Sequence, residues 1–272
     1  MRLYISADIE GIAGVVTRSH TSPEGFEYER AREWMTGEVV AACEAAEVAG
    51  VEEIVVSDSH GSGENLLLER LPKGTQVIRS WPRPLAMMQG LETGPFAAAM
   101  LIGYHAGSTD MGGVLAHTMT GGIREIRLNG EVASETVLSA AIAGHFDVPV
   151  VLATGDDVYC AHARAVFGDI ETAEVKWAHG TLSARTMRPE EARDLVGHKA
   201  AAALERLRDF KPRGVTAPVT MEIDFKNRMQ PELLDYLPNV ERPAAYTVRF
   251  VADDMLEASK FLEFVTMYDA DA

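Results

Sequence analysis

The sequence of 272 residues contains only two cysteines, Cys43 and Cys160, and no long uninterrupted apolar run. Two thiols are too few for the disulfide framework of a small secreted domain, so we expect a reducing compartment. A membrane-spanning helix needs roughly 20 apolar residues in a row. Asp8 and Glu10 interrupt the first apolar stretch, where a signal peptide would have its core. These absences predict a cytoplasmic protein without a membrane anchor.

Positive charge is also scarce in this chain. Lysine and arginine number 25 against 41 aspartate and glutamate residues, which gives a formal net charge of −16 at pH 7. Such an excess repels phosphate backbones and anionic lipid surfaces, so neither nucleic acid nor a membrane is an expected partner. Hydrophobic residues nevertheless make up 47% of the sequence, which is enough to build a sizeable core.

Strand-like and helical patterns alternate along the first two thirds of the chain. A strand over 2–7, a helix over 28–49 that is ended by Gly50, and a strand over 53–57 form a βαβ unit. Further strands are expected at 75–78, 97–102, 124–128 and 148–153, and further helices at 84–91 and 134–143. This alternation predicts a three-layer α/β domain over residues 1–185, built on a mostly parallel sheet.

The pattern changes after about residue 185. Pro189 is suited to the first turn of a helix that extends through Leu207. Two strands and another helix are then expected at 219–225, 245–250 and 254–267. Residues 186–272 are therefore predicted to form a smaller α+β domain.

Five potential metal ligands follow the ends of predicted strands or open a predicted helix. They are Asp8, Glu10, His60, His105 and Glu135. Open α/β sheets bind their ligands beyond the carboxyl ends of the strands, so residues distant in sequence can converge there. Carboxylate and imidazole donors together suit zinc. Considered singly, each residue also fits a turn, a helix N-terminus or an ordinary buried histidine.

Two further residues are candidates because of their position near these ligands. His117 follows a glycine-bearing loop, and an imidazole with a pKa near neutrality suits proton transfer beside an activated water. An exposed loop histidine is the alternative explanation. Asp58 lies two residues before His60 and is a candidate acceptor that orients the imidazole.

Three charged residues have equally good functional and structural explanations. Asp156 and Asp157 follow a predicted strand, where they could orient a ligand or a substrate amine, or simply form a turn. Lys176 could meet a substrate carboxylate, although a lysine at a strand edge is usually a solvated charge. No G-x-G-x-x-G motif follows a strand, so the sequence gives no support for a nucleotide cofactor.

Several short motifs resemble those of the zinc-dependent D-aminopeptidase family found with bacterial dipeptide transport systems. They are Asp8-Ile9-Glu10-Gly11, Ser57-Asp58-Ser59-His60, Gly103-Tyr104-His105, Ser134-Glu135 and Gly155-Asp156-Asp157, and the similarity extends to Arg249-Phe250 and Asp254-Met255. The resemblance implies that the five ligands named above bind two zinc ions per chain and that His117 is catalytic. It also implies hydrolysis of short peptides with an N-terminal D-residue, such as D-Ala-D-Ala. Family members form ring-shaped homo-oligomers, for which residues 186–272 are the expected contact region.

The number of candidate ligands indicates how two zinc ions could be held. Five ligands give two zinc ions three protein donors each only if one is shared, and Asp8 is the expected bridge. A zinc-activated water then attacks the peptide, while His117 protonates the departing amine or stabilises the tetrahedral intermediate.

Two other functions stay open. One is a haloacid-dehalogenase-like phosphatase, because Asp8-Ile9-Glu10-Gly11 is close to a D-x-D-G opening, and the other is a non-catalytic peptide-binding protein.

Overall fold

Strands and helices alternate through most of the chain in the computed structural model, which describes residues 1–268. The strands are β1 (Arg2–Ala7), β2 (Glu53–Asp58), β3 (Gln76–Ile78), β4 (Ala98–Ile102), β5 (Ile123–Leu128), β6 (Glu131–Val132), β7 (Val150–Asp156), β8 (Glu171–Gly180), β9 (Ser183–Thr186), β10 (Val219–Phe225), β11 (Val240–Ala244) and β12 (Thr247–Ala252). The helices are α1 (Arg18–Thr21), α2 (Tyr28–Val48), α3 (Glu135–His145), α4 (Asp157–Phe167), α5 (Pro189–Glu205), α6 (Met229–Leu234) and α7 (Met255–Met267).

The larger sheet has the strand order β3-β2-β1-β4-β7-β8-β9 and is parallel except for the edge strand β9. The central strands β4 and β7 are buried along their whole length, because both faces of the sheet are covered. On one face Leu3 and Ile5 pack with Met35 of α2 and Val196 of α5. On the other face Tyr4 belongs to a second core. The predicted three-layer α/β architecture is confirmed.

The smaller sheet is antiparallel, with the order β11-β12-β10-β5-β6. Buried and half-buried residues alternate along β10, where Val219, Met221 and Ile223 point to the core. This period of two is typical of a sheet with one covered face. Helix α7 packs on this sheet and also on α3, and so joins the smaller sheet to the second core of the larger one.

Two elements are not where the sequence patterns predict them. The strand expected at 124–128 is present as β5, but it pairs with β10 in the antiparallel sheet rather than with the parallel strands. Helix α5, expected in the smaller unit, packs against α2 and β8. The smaller sheet thus draws strands from both sides of residue 185, because periodicity reveals an element and not its partners. The division into two domains stays a prediction.

The prediction of a helix over 84–91 is wrong. This segment contains one short 3-10 turn, Ala86–Met88, and a second, Leu91–Thr93, begins at its last residue. Gly90 between them has a φ of 104°, which an α-helix does not accept. None of the helices among residues 1–268 is both long enough and apolar enough to span a bilayer. The cytoplasmic location stays a prediction.

Candidate active site

The segments that follow β1, β2 and β4 lie side by side at one edge of the larger sheet. The backbone amide of Asp8 donates to the Ile102 carbonyl at 2.8 Å and extends the pairing of β1 towards the segment that carries His105. On the other side, the Ser59 amide donates to the Ala7 carbonyl at 2.8 Å. The parallel register therefore gathers three of the predicted ligand segments at the carboxyl ends of the strands.

Glu135 reaches the same place from the first turn of α3. The side chain of Ser134 caps this helix by accepting from the Val137 amide. Glu135 Oε1 accepts a hydrogen bond of 2.7 Å from the Met119 amide, which fixes the carboxylate. Its other oxygen, Oε2, lies 3.3 Å from His105 Nε2.

All five predicted ligands lie in one continuous cluster. His60 Nδ1 is 2.9 Å from Glu10 Oε2 and 3.3 Å from Asp8 Oδ1. The other oxygen of Asp8, Oδ2, is 3.6 Å from His105 Nε2. Asp8 thus stands between the two imidazoles with one oxygen towards each, and the fifth residue, Glu135, adjoins the second of them.

The two imidazoles of the cluster are oriented by backbone carbonyls. His60 Nε2 donates to the Thr21 carbonyl at 2.8 Å, and His105 Nδ1 donates to the Ala106 carbonyl at 2.9 Å. Because a carbonyl only accepts, the remaining nitrogen of each neutral ring carries a lone pair. That lone pair faces carboxylate oxygens, which is repulsive unless a cation or a proton lies between them. Metal-ligating histidines typically donate their other ring N–H to a carbonyl or carboxylate, as these two do.

The cluster is buried, and its charges perturb one another. Asp8 and His105 are each 2% exposed. Burial raises the pKa of Asp8 well above its usual value, and the nearby Glu10 raises it further. Burial lowers the pKa of His105, but Glu135 and Asp8 outweigh this effect and raise it to about 10. Among residues 1–268, Glu10 Oε2 and His105 Nε2 have no hydrogen-bond partner, a costly state that a bound cation would relieve. The donor set fits a metal.

His117 lies at the edge of the cluster. Its ring stacks on His105 with the centroids 4.2 Å apart and the planes 8° from parallel. His117 Nε2 is 3.8 Å from Glu135 Oε1, and Nδ1 donates to the Leu115 carbonyl at 2.9 Å. The side chain is 30% exposed, whereas that of His105 is 2% exposed. His117 is thus an accessible imidazole beside the buried candidate ligands.

A cavity of about 230 Å³ opens over the cluster. It is lined by the predicted residues Asp8, Glu10, His60, His117 and Glu135, and by Ser59, Gly61, Trp81, Met87, Met119, Thr120, Glu263, Thr266 and Met267. Its volume is below the range of roughly 300–1,000 Å³ that is typical of pockets for drug-sized molecules, so the ligand is small.

Comparison with known proteins gives the family. The model of the Peptidase M55 family, described as D-aminopeptidase, matches residues 1–264. This chain belongs to that family. A D-aminopeptidase of Bacillus subtilis (strain 168) is 33% identical over 267 residues, which cover 98% of this chain and 97% of the relative. A solved structure described as Zn-dependent D-aminopeptidase DppA from Bacillus subtilis, a self-compartmentalizing protease, is similar with a TM-score of 0.93 and 33% identity. That similarity covers 98% of this chain and 97% of the other.

Membership of the D-aminopeptidase family confirms three predictions from the sequence: the family resemblance, the α/β fold and an enzyme of the hydrolase class. The haloacid-dehalogenase-like alternative is not supported, because the peptidase family model spans nearly the whole chain, including the Asp8-Ile9-Glu10-Gly11 motif that suggested it. A non-catalytic binding protein likewise receives no support from relatives that are named as peptidases.

The structure supports neither of the two roles considered for Lys176, a contact with a substrate carboxylate or a solvated surface charge. The side chain is fully buried on β8 instead of lying at a solvated strand edge. Its ammonium donates to the carbonyls of Val15 at 2.6 Å and Ile12 at 3.2 Å, and also to that of Glu10. The donors of Lys176 are therefore committed to the loop of residues 10–15, which carries one of the candidate ligands.

Glu38 of α2 holds the same loop. It is 1% exposed, and its Oε1 accepts from the Ala13 amide at 2.9 Å. Burial raises the pKa of Glu38 to about 7, although the Ala13 amide and Lys176 act to lower it. The loop also passes close to its neighbours at Gly11, where a Cβ would lie 2.0 Å from the Tyr104 carbonyl oxygen. Sequence reasoning missed Glu38, because a glutamate within a helix usually faces solvent.

The structure does not show the predicted contact between Asp58 and the His60 imidazole. The Asp58 carboxylate accepts from the Leu66 amide and from Asn65 Nδ2, each at 2.7 Å. Asn65 Nδ2 also donates to the His60 carbonyl at 2.7 Å. Asp58 therefore shapes the loop that carries His60 and acts on the histidine only through Asn65.

The two acidic residues after β7 also have structural partners. Asp156 caps α4 by accepting from the Tyr159 amide at 2.7 Å, and its second oxygen accepts from the Val114 amide at 2.6 Å. Asp157 accepts from the Ala178 amide at 2.8 Å. Neither residue is among those that line the cavity. Asp156 fastens the loop that precedes His117, and no contact supports binding of a substrate amine.

The cavity wall away from the cluster was not predicted from the sequence. Its members include Trp81 and Met87 from irregular turns and Glu263 from α7. None of them belongs to a recognisable motif. The only available signal is the similarity of the C-terminal segment to the family, which does not distinguish Glu263 from its neighbours.

Proposed function

We propose that this protein is a zinc-dependent aminopeptidase that hydrolyses short peptides with an N-terminal D-residue, including D-Ala-D-Ala. One observation carries the proposal: in a buried cluster, the free ring nitrogens of His60 and His105 face the carboxylates of Asp8, Glu10 and Glu135. The names of the similar Bacillus subtilis proteins support the metal and the preference for D-residues.

We assign two zinc ions to this cluster in each chain. One would be held by Glu10 and His60, and the other by His105 and Glu135. Asp8 would be shared, because Oδ1 is 3.3 Å from His60 Nδ1 and Oδ2 is 3.6 Å from His105 Nε2. Each ion then has three protein ligands, the number typical of catalytic zinc sites. When bound, zinc lowers the pKa of a water molecule and polarises the scissile carbonyl.

His117 is assigned the proton transfer to the departing amine. Its Nδ1 proton is held by the Leu115 carbonyl, so Nε2 is the nitrogen that can take up a proton and release it. Stacking on His105 fixes the plane of the ring, and the partly exposed side chain lines the cavity. The apolar side chains of Met87 and Met119 in the same wall offer surface to a small peptide side chain.

Metal analysis together with paired peptides tests the proposal. The purified protein is expected to contain two zinc ions per chain and to cleave D-Ala-D-Ala faster than L-Ala-L-Ala. His117→Ala is expected to keep its zinc and to lose about 10²- to 10⁴-fold in kcat, the range of general acid catalysis. Asp8→Ala is expected to lose both zinc and activity. Glu64→Ala, which removes an exposed carboxylate, is the control and should change neither.

Each part of the proposal has its own contrary result. Loss of zinc in His117→Ala would make this residue a ligand, and full kcat would remove it from the mechanism. Two zinc ions retained in Asp8→Ala would refute the shared ligand. Equal cleavage of the D- and L-dipeptides would refute the stereochemical preference and leave the peptidase activity standing.

We also propose that the chains assemble into a homo-oligomer through residues 186–272. The similar solved protein is described as self-compartmentalizing. In this chain, exposed large apolar side chains of the proposed contact region are Met229, Tyr236, Leu237, Tyr246, Val251, Phe264 and Met267. Exposed apolar surface of this kind often marks a protein interface. Light scattering is expected to show a multimer that Tyr236→Lys weakens and Phe26→Lys, a change outside the region, does not. A monomeric unsubstituted protein would contradict this.

A further inference from the structure

Glu263 of α7 is a buried carboxylate in the cavity wall that the metal cluster does not use. It is 6% exposed and lines the same cavity as Asp8 and Glu10. Its Oε1 accepts a hydrogen bond of 2.7 Å from the Arg83 backbone amide. Within residues 1–268, no hydrogen bond reaches its other oxygen, and Glu263 forms no ion pair.

The side chain of Arg83 does not neutralise the negative charge of Glu263 by direct contact. Its guanidinium donates to Ser57 Oγ and to the Asp58 carbonyl, each at 2.9 Å, and lies 4.2 Å from the ring centroid of Trp81. Its donors are therefore committed elsewhere. Burial raises the pKa of Glu263, although the Arg83 amide and charge act to lower it. The carboxylate is fixed in place and lacks a cationic partner among the described residues.

The charges around the cavity leave Glu263 available to a ligand. The lining side chains include the carboxylates of Asp8, Glu10, Glu135 and Glu263, but no lysine or arginine of the described chain. In the proposed function, the first three carboxylates hold two dications and cannot also neutralise a substrate amine. Glu263 is then the carboxylate of this wall that remains free for a cationic group.

We propose that Glu263 binds the free α-ammonium group of the peptide substrate and thereby restricts the enzyme to N-terminal residues. This inference rests on the proposed peptidase function. The α-ammonium is the one cation that a dipeptide such as D-Ala-D-Ala presents. Thr266 and Met267 lie on the same helix and line the same wall, so the N-terminal residue of the peptide lies against α7.

The substitution Glu263→Gln tests this role, because the amide oxygen of Gln still accepts from the Arg83 amide while the charge is removed. The KM for D-Ala-D-Ala is expected to rise about 10- to 100-fold, the range for losing a hydrogen bond to a charged group. Both kcat and the zinc content should stay close to their original values. The Ki of N-(D-lactoyl)-D-alanine, which has a hydroxyl in place of the ammonium, should be unchanged.

The control is Glu257→Gln, the same change of charge at an exposed position of α7. It should alter neither the KM for D-Ala-D-Ala nor the Ki of N-(D-lactoyl)-D-alanine. Equal weakening of both ligands in Glu263→Gln would overturn the inference, because it would show that the residue only shapes the cavity. An unchanged KM for D-Ala-D-Ala would also overturn it. Absence of hydrolysis by the unsubstituted protein would instead refute the proposed function, and this inference with it.

Discussion

Replacing Lys176 with methionine tests whether a buried ammonium holds the loop that carries Glu10. The substitution keeps an unbranched apolar side chain of similar length but removes the donors to the carbonyls of residues 10, 12 and 15. The Ile12 carbonyl still accepts from the Val15 amide at 3.1 Å. The carbonyls of Glu10 and Val15 lose the donor that the structure gives them.

The expected loss of stability is modest because two effects oppose each other. Two buried carbonyls without donors cost about 2–6 kcal/mol at about 1–3 kcal/mol each. Burial lowers the pKa of Lys176 from 10.5 to about 8, against the raising effects of Asp156, Glu38 and Glu10. This shift means that the buried ammonium itself is disfavoured by about 3 kcal/mol, a cost that methionine removes. The net effect ranges from a gain of about 1 kcal/mol to a loss of about 3 kcal/mol, which leaves the protein folded.

The larger effect is expected on metal binding. In Lys176→Met the Glu10 carbonyl loses its donor, although Glu38 still holds the loop at Ala13. Loss of a group that orients a metal ligand typically costs 10- to 100-fold in metal affinity. Urea unfolding of the metal-free protein measures the stability, and competition with a chelator measures the zinc affinity. Lys73→Met, at an exposed position, is the control. Unchanged zinc affinity in folded Lys176→Met would refute the role of Lys176 in positioning Glu10.

Three further predictions concern the loop and the cluster. The pKa of Glu38 is raised from 4.5 to about 7, so the protein should lose stability as the pH rises from 4.5 through 7, whereas Glu38→Gln should not. In urea unfolding the variant should gain up to about 3 kcal/mol relative to the unsubstituted protein at pH 7 and above, and a pH-independent difference would contradict the assignment. Because the pKa of His105 is about 10 without metal, zinc binding at neutral pH should release protons, which calorimetry in buffers of different ionisation enthalpy detects or excludes. Gly11→Ala would place a Cβ 2.0 Å from the Tyr104 carbonyl oxygen, so thermal unfolding should show a loss of roughly 4 kcal/mol or more, and an unchanged Tm would disprove the close approach.

The candidate ligands were predictable because parallel strands present their carboxyl ends at one edge. Asp8, His60 and His105 each follow an apolar strand closely, and the register of β1 with its two neighbours brings the three segments together. The orientation of the imidazoles was not predictable. The Thr21 carbonyl that orients His60 comes from α1, a four-residue helix with no sequence relation to β2.

The burial of two charged residues, Lys176 and Glu38, was not predicted from the sequence, for a common reason. Lys176 and Glu38 belong to residue types that usually remain in water, so a sequence pattern assigns them to the surface. The structure buries both of them against the loop of residues 10–15, where unpaired backbone groups need a donor and an acceptor. The need arises from the path of that loop, which no local pattern of β8 or α2 encodes.

Local periodicity and short motifs were enough to predict the alternation of strands and helices, the family, and the side chains that gather beyond the parallel strands. The pairing of β5 with the antiparallel sheet and the packing of α5 on the larger sheet are known only from the folded structure. The same holds for Glu263, which α7 brings into the cavity wall. Such pairings depend on which apolar faces meet across long stretches of chain, and a period of 2 or 3.6 residues describes a face without naming its partner.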